Sequence, residues 1–265
     1  MYIGNIKLDN ITVLAPLAGI TNLPMRLIAK EAGCGLVCSE MISSNGLVHQ
    51  SGKTERLLES VPEEKPLSVQ IFGSDPDIMA AAAKIVELSG ADILDINFGC
   101  SVRKIVKKGY GAGILNDIPK MVEITKEVVN STKLPVTVKT RLGWDEDSIK
   151  IVEVAERLQD VGCKAISIHG RTRKQMYKGV ANWVPIANVK NNPKMNIPII
   201  GNGDICNVED AKDKIDRYGL DGIMIGRATY GNPWIFKEIK HFLKSGEQMP
   251  PPAIEERVSV CKAHL

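Results

Sequence analysis

The run "DINFGC" (95–100) closes an apolar stretch with a lone thiol, Cys100, where the chain leaves a strand for a loop. The loop that follows, "SVRKIVKKGYGAG", carries four basic residues, three glycines and no acid. A cysteine that only packs belongs inside the strand, so this position points to chemistry at the thiol. Two glycine-bearing turns, "GNGD" (201–204) and "IGRA" (225–228), suit a phosphate, because glycine lets backbone amides approach an anion closely. Arg227 sits within the second turn. Lys139 ends another apolar run, "PVTVKT"; it reads either as a salt-bridged interior lysine or as a fixed positive charge for an anionic cofactor state. His169 reads equally as a satisfied core residue or as part of the same site.

Composition bounds what these residues belong to. The 265 residues are 44% hydrophobic and 25% charged, the make-up of a globular protein with room for a sizeable core. No apolar run approaches the ~18 residues of a membrane span. The start, "MYIGNIKLDN", lacks the basic residues and apolar centre of an export signal. The expected location is therefore cytoplasmic, where the six scattered cysteines stay reduced. Cys34 and Cys38 are close together, but no second Cys or His pair completes a zinc site, so both read as packing residues and no metal is expected. A net charge of +3 does not announce nucleic acid, although its distribution is uneven. Arg103, Lys104, Lys107 and Lys108 share one loop; Arg171, Arg173, Lys174 and Lys178 share another.

The elements that must hold these residues alternate. Strand-like segments fall at 12–16, 34–40, 66–73, 91–97, 134–140, 165–170, 198–204 and 221–227, each followed by a helical or turn segment. The helix after the third has Asp75 as its cap, Pro76 at its first position and Gly90 at its end. Most strands are apolar on both faces and too far apart for hairpins, as in parallel strands covered by helices. Eight such units predict an α/β fold of the TIM (β/α)8 barrel type. A doubly wound sheet would need a G-x-G-x-x-G turn after its first strand, and "APLAGITNLP" has none. The barrel is expected over 1–245, with a last helix capped by Asn232 and ended by Gly246. A Pro-rich hinge at 246–252 then leads to 253–265, the start of a further helical domain cut short by the end of the sequence.

In a barrel, chemistry gathers at the C-terminal ends of the strands. Those ends carry Pro16, Leu17 and Ala18; Gln70; Asn97 and Cys100; Lys139 and Arg141; His169 and Arg171; Asn202, Gly203 and Asp204; and Gly226 and Arg227. Both basic clusters fall on the same face. The turns after the seventh and eighth strands lie where such barrels commonly bind phosphate. Trp183 and Trp234 read as core residues of the outer helices.

"APLAGITNLPMR", "DINFGC", "PVTVKTRLGWD", "HGRTRKQMYKGVANW", "PIIGNGDI" and "DGIMIGRATYGNPW" together resemble, in order and spacing, the tRNA-dihydrouridine synthase family. The resemblance spans roughly residues 5 to 245. It implies an FMN-containing barrel that reduces the C5–C6 bond of uridines in tRNA, with NADPH as reductant, acting as a monomer. It makes Cys100 the catalytic acid on a mobile loop. Pro16, Leu17, Ala18, Gln70, Lys139, His169, Asn202, Gly203, Asp204, Gly226 and Arg227 become the FMN site. Asn97, Arg141 and Tyr177 would lie near the flipped uracil, while Arg103, Lys104 and Arg171 would meet the RNA backbone.

Two departures stand out. Ser101 follows the cysteine where the family usually has proline, and the family's C-terminal helical domain is largely absent from the sequence. The rival readings are a dihydroorotate-dehydrogenase-like FMN enzyme acting on a free pyrimidine, and a non-catalytic flavin- or RNA-binding remnant.

Overall fold

The structure is a computed structural model; it describes residues 1–264, the side chain of Lys53 excepted. Leu265, the last residue of the expected terminal helix, lies outside the described residues. An antiparallel hairpin, β1 (Tyr2–Ile3) and β2 (Ile6–Lys7), comes first. Eight parallel strands follow: β3 (Thr12–Leu14), β4 (Val37–Ser43), β5 (Leu67–Phe72), β6 (Ile93–Asn97), β7 (Val136–Arg141), β8 (Ala165–His169), β9 (Ile199–Asn202) and β10 (Gly222–Ile225). β10 pairs with β3, and a bridge from Val13 to Leu36 carries the ring on toward β4, closing the barrel. All eight expected strands form, within a few residues of their expected limits. The hairpin was not foreseen, because its strands are two residues each.

Helices α1 (Leu23–Glu31), α2 (Ser44–Val48), α3 (Gly52–Glu55), α4 (Pro76–Leu88), α5 (Arg103–Val106), α6 (Ile118–Ser131), α7 (Ile151–Asp160), α8 (Val184–Lys190), α9 (Val208–Tyr218), α10 (Ile235–Ser245) and α11 (Ile254–His264) complete the chain. Their starts are set by local chemistry. Asp75 accepts from the Ile78 amide and Asp117 from the Lys120 amide, each satisfying a donor that the first turn leaves free. The cap expected at Asn232 does not form. α10 begins at Ile235 after Trp234, and the Asn232 side chain instead reaches Glu238 at 3.4 Å. Gly246 does end that helix, in the left-handed region at φ 77°. α11 turns back onto the barrel: Glu256 accepts from the Trp234 indole at 2.6 Å and the Lys237 ammonium at 2.9 Å.

Two apolar layers hold the barrel. Between sheet and helices lies a core containing Leu94, Ile96, Met121, Ile124, Val154, Leu158, Ile186 and Phe236. Inside the barrel, at the N-terminal end of the strands, Val13, Cys38, Ile93, Ala165, Ile200 and Met224 pack with Ile3 of the hairpin. Alternation then brings different residues inward two positions further along each strand. On β6, Ile93 gives way to Asp95 and Asn97; on β8, Ala165 gives way to Ser167 and His169. The strands are buried on both faces, but their upper inward positions are polar rather than apolar. That gradient builds the site.

Candidate active site

Asn97, the last residue of β6, fixes the chain just beyond it. Its Oδ1 accepts from the amides of Gly99 (3.1 Å) and Cys100 (2.9 Å), and the Cys100 carbonyl accepts from Ala112 at 2.9 Å. Gly111 packs so tightly here that a Cβ on it would lie 2.9 Å from Cys100 Cβ. The loop expected to be mobile is therefore tied at its root, with the half-buried thiol at the barrel mouth. Short α5 follows, carrying Arg103 and Lys104 on its exposed surface.

Arg141 ties this loop to its neighbour. The buried guanidinium donates to the carbonyls of Gly99 (2.7 Å), Thr172 (3.1 Å) and Met176 (2.8 Å), and to Ser101 Oγ at 3.4 Å. Ser101, where proline was expected, thus supplies an acceptor and is itself buried. Tyr177, 57% exposed and so open to a substrate, lies between Arg141 and Arg227, whose guanidiniums stand 5.7 and 5.3 Å from its ring centre.

The next row across the barrel is Asn97, Lys139 and Ser167, register partners on β6, β7 and β8. Lys139 Nζ has one side-chain partner, Asn202 Oδ1 at 3.2 Å, while Asn202 Nδ2 donates to the Met224 carbonyl. Burial, and next the charge of Arg141, lower the Lys139 pKa to about 8. Burial likewise lowers Arg141 to about 10, so both stay protonated at neutral pH. His169 is pushed well below its ordinary value by burial and by Arg141, Lys139, Arg171 and Arg227 around it, which makes it a neutral ring. Below Lys139, burial raises the pKa of Asp95, opposed by bonds from Gln70 and Thr137 and by the lysine's charge.

Asp204 organises the opposite side. It receives two bonds from Arg171 (2.8 and 2.7 Å), one from the Ala181 amide (2.8 Å) and one from Arg227 (3.3 Å). Although burial pushes its carboxyl up, Arg171 and its other donors bring it below the usual range. Arg171 is 2% exposed and also holds the carbonyls of Lys178 and Gly179. Expected to meet the RNA backbone, it is here an interior strut, buried because Asp204 is there to receive it. The rest of its basic cluster is mixed. Arg173 stacks on Trp144 at 4.6 Å, Lys174 pairs with Asp145, and Lys178 is exposed.

The remaining expected residues converge on the same mouth. Gly203 has φ 132°, and a Cβ there would come 2.7 Å from that of Ala181, so only glycine fits. Gly226 faces Ala15 and Leu17, bringing the Pro16–Leu17–Ala18 turn beside Arg227. The donor set suits FMN. A buried ammonium has spare hydrogens, two glycine turns expose backbone, and Arg171 and Arg227 share the single carboxylate of Asp204 while Lys139 and Arg141 have no salt bridge among the described residues, a charge balance that invites an anion. No cluster of potential metal ligands occurs among the described residues. The residues missed by sequence reasoning are Asp95 and Thr137; the one signal was Asp95, the second acid in the run "ADILDIN".

Among solved structures, a 2-naphthoyl-CoA reductase complex superposes with a TM-score of 0.71 at 13% identity, over 91% of this chain and 51% of that one, a likeness of fold. The tRNA-dihydrouridine synthase B of Proteus vulgaris is 44% identical over 265 residues, all of this chain and 81% of that protein. A probable tRNA-dihydrouridine synthase of Rickettsia bellii is 39% identical over 99% of this chain and 80% of its own length. The family description "Dihydrouridine synthase (Dus)" matches residues 13–265. With the strand-end residues arranged around one charged mouth, these matches place the chain in the dihydrouridine synthase family.

Proposed function

We propose that this chain is an FMN-dependent oxidoreductase that reduces uridines of tRNA to 5,6-dihydrouridine, with NADPH as the source of electrons. The observation that carries the reading is the half-buried Cys100, its backbone amide held by Asn97, at a mouth where Lys139 and Arg141 have no carboxylate bridge among the described residues. Gln70, Lys139, His169 and Asn202 would hold the flavin ring, and the Gly203 and Gly226–Arg227 turns its phosphate. FMN bound there would supply the hydride for uracil C6, with NADPH as the source of its electrons. The chain's own residues do the rest. Cys100 gives its proton to C5 from the opposite face, and the resulting thiolate recovers a proton from solvent. Lys139 would offset negative charge on the cofactor, while neutral His169 and Gln70 would orient it. Asn97, Arg141 and Tyr177 line the space for a uracil turned out of its stack, and Arg103 and Lys104 face the RNA backbone. The enzyme would act as a cytoplasmic monomer, and among the described residues no helix is long and apolar enough to cross a membrane.

The test is incubation with unmodified tRNA, FMN and NADPH, followed by mapping of dihydrouridine. Conversion at defined uridines, weakening steeply as salt rises, is the expected result. Reduction of a free pyrimidine with tRNA untouched would sink the reading.

A further inference from the structure

A line of four buried side chains runs from the barrel interior to the backbone of Cys100. Asp95 Oδ1 accepts from the Thr137 hydroxyl at 2.5 Å, and its Oδ2 accepts from Gln70 Nε2 at 2.6 Å. Gln70 Oε1 accepts from Asn97 Nδ2 at 2.7 Å, and Asn97 Oδ1 accepts from the amides of Gly99 and Cys100. Gln70, Asp95 and Thr137 are register partners on β5, β6 and β7, so one inward row holds the first three members. Their exposures are 0% for Gln70, 4% for Asp95, 6% for Asn97 and 6% for Thr137, leaving little water to substitute for a lost partner.

The line has a direction. A carboxylate only accepts, and backbone amides only donate. Between these two ends stand two side-chain amides, each able to present oxygen or nitrogen either way. With Asp95 accepting, Gln70 must turn its NH2 down and its oxygen up. Asn97 must then turn its NH2 to Gln70 and its oxygen to the Cys100 turn. Both ends demand the same polarity, and no member is frustrated.

We infer that Asp95 is a positioning residue for uridine reduction: its carboxylate orders the Gln70 and Asn97 amides and so fixes the Cys100 backbone where the thiol meets the substrate. The inference rests on the reading of Cys100 as proton donor. Asp95 itself would touch neither substrate nor the reacting atoms.

Asp95→Asn keeps the shape and removes the constraint. The new amide can offer its NH2 to Gln70, which favours the reversed polarity and sets Asn97 NH2 against the Gly99 and Cys100 amides. Hydrogen exchange of those two amides, followed by NMR in the full chain with FMN, reads this directly. The expected result is exchange about tenfold faster in Asp95→Asn, the loss of one charge-assisted link, with β9 amides unchanged. Thr137→Val, which removes one donor from the carboxylate, should move the same amides by a smaller factor. It decides the matter if Asp95→Asn does not fold. Unchanged exchange at Gly99 and Cys100 in either folded variant overturns the proposal.

Kinetics give a second arm. Asp95→Asn should slow oxidation of the pre-reduced enzyme by tRNA about tenfold, with tRNA affinity unaltered and reduction by NADPH, which feels only the Gln70 contact with the flavin, slowed less. In a Cys100→Ala background the same substitution should have no further effect, because both act on one step. A slowing that persists in that background, or an equal slowing of reduction by NADPH, would place Asp95 on the cofactor instead and refute the inference. Should the wild-type chain convert no uridine, the functional reading fails by itself, and the exchange measurement still decides the role of Asp95.

Discussion

At the N-terminal end of the barrel, Val13, Cys38, Ile93, Ala165, Ile200 and Met224 fill the interior and Ile3 joins them. At the other end of the same strands, the inward residues are Gln70, Asn97, Lys139, His169 and Asn202: Asn97 bonds to Gln70, Lys139 to Asn202, and His169 meets Arg171. One end is held by non-directional apolar contact, the other by directional bonds and unbalanced charge. The cysteines report the contrast. Burial pushes Cys34 and Cys163 up to about 12, which leaves them inert as packing residues, whereas Cys100 stands half-buried at the rim. Stability and reactivity are thus assigned to opposite ends of single strands, and on β6 they lie four residues apart, from Ile93 to Asn97.

Substitutions can break that division. The largest effect should come from Cys100→Ala: about 10²–10⁴-fold slower uridine reduction in a single turnover, equivalent to about 3–5 kcal/mol, with thermal stability and reduction by NADPH preserved. Cys100→Ser should be nearly as slow, since a hydroxyl is a much weaker acid. A wild-type rate in the alanine variant would return the thiol to packing. The reverse experiment is Ile93→Ala, on the same strand, which should cost about 2–5 kcal/mol in denaturant unfolding and leave the single-turnover rate intact. A large rate loss at equal occupancy would mean that the two ends are not separate.

Lys139 sharpens the comparison, because it carries a cost for the folded chain. Its folded-state value near 8 lies below the ordinary 10.5, so between those limits the folded chain binds fewer protons than the unfolded one. Stability therefore rises with pH through that window, and below about pH 8 the full penalty, at most about 3 kcal/mol, is present. Lys139→Met should accordingly raise the melting temperature of the cofactor-free chain at pH 7, by a margin that shrinks toward pH 10.5. With FMN added the order should reverse. A margin independent of pH would show that the ammonium is not penalised. The smallest effect belongs to Arg227→Ala, expected to weaken FMN retention about tenfold, because an exposed guanidinium is partly screened. Equal FMN content after dialysis would remove Arg227 from the phosphate site.

The eight strands were legible because each is a short apolar run bounded by turn residues, and α4 because Asp75 and Pro76 mark its start. The strand-end residues were legible too, since a barrel assigns a face to them. What the sequence could not convey was partnership at a distance. Arg171 reads like its neighbours Arg173 and Lys174 until Asp204, 33 residues on, makes it an interior strut. Asp95 is one acid in an apolar run, and only strand register shows Gln70 and Thr137 on either side. Asn232 has the chemistry of a cap, but the chain turns again at Pro233 and Trp234 before the helix begins.

Arg141 separates two properties that usually travel together. Four of its hydrogen bonds go to neutral oxygens, those of Gly99, Thr172, Met176 and Ser101, so most of its five donors are committed to framework. No salt bridge pairs it with a carboxylate among the described residues, so its charge is undiminished while its grip is used up. Such a group acts on an incoming polyanion as a field source rather than a handle. The potential it casts over the mouth is set by the frame that holds it, is present before any contact is made, and keeps its shape whichever nucleotide arrives.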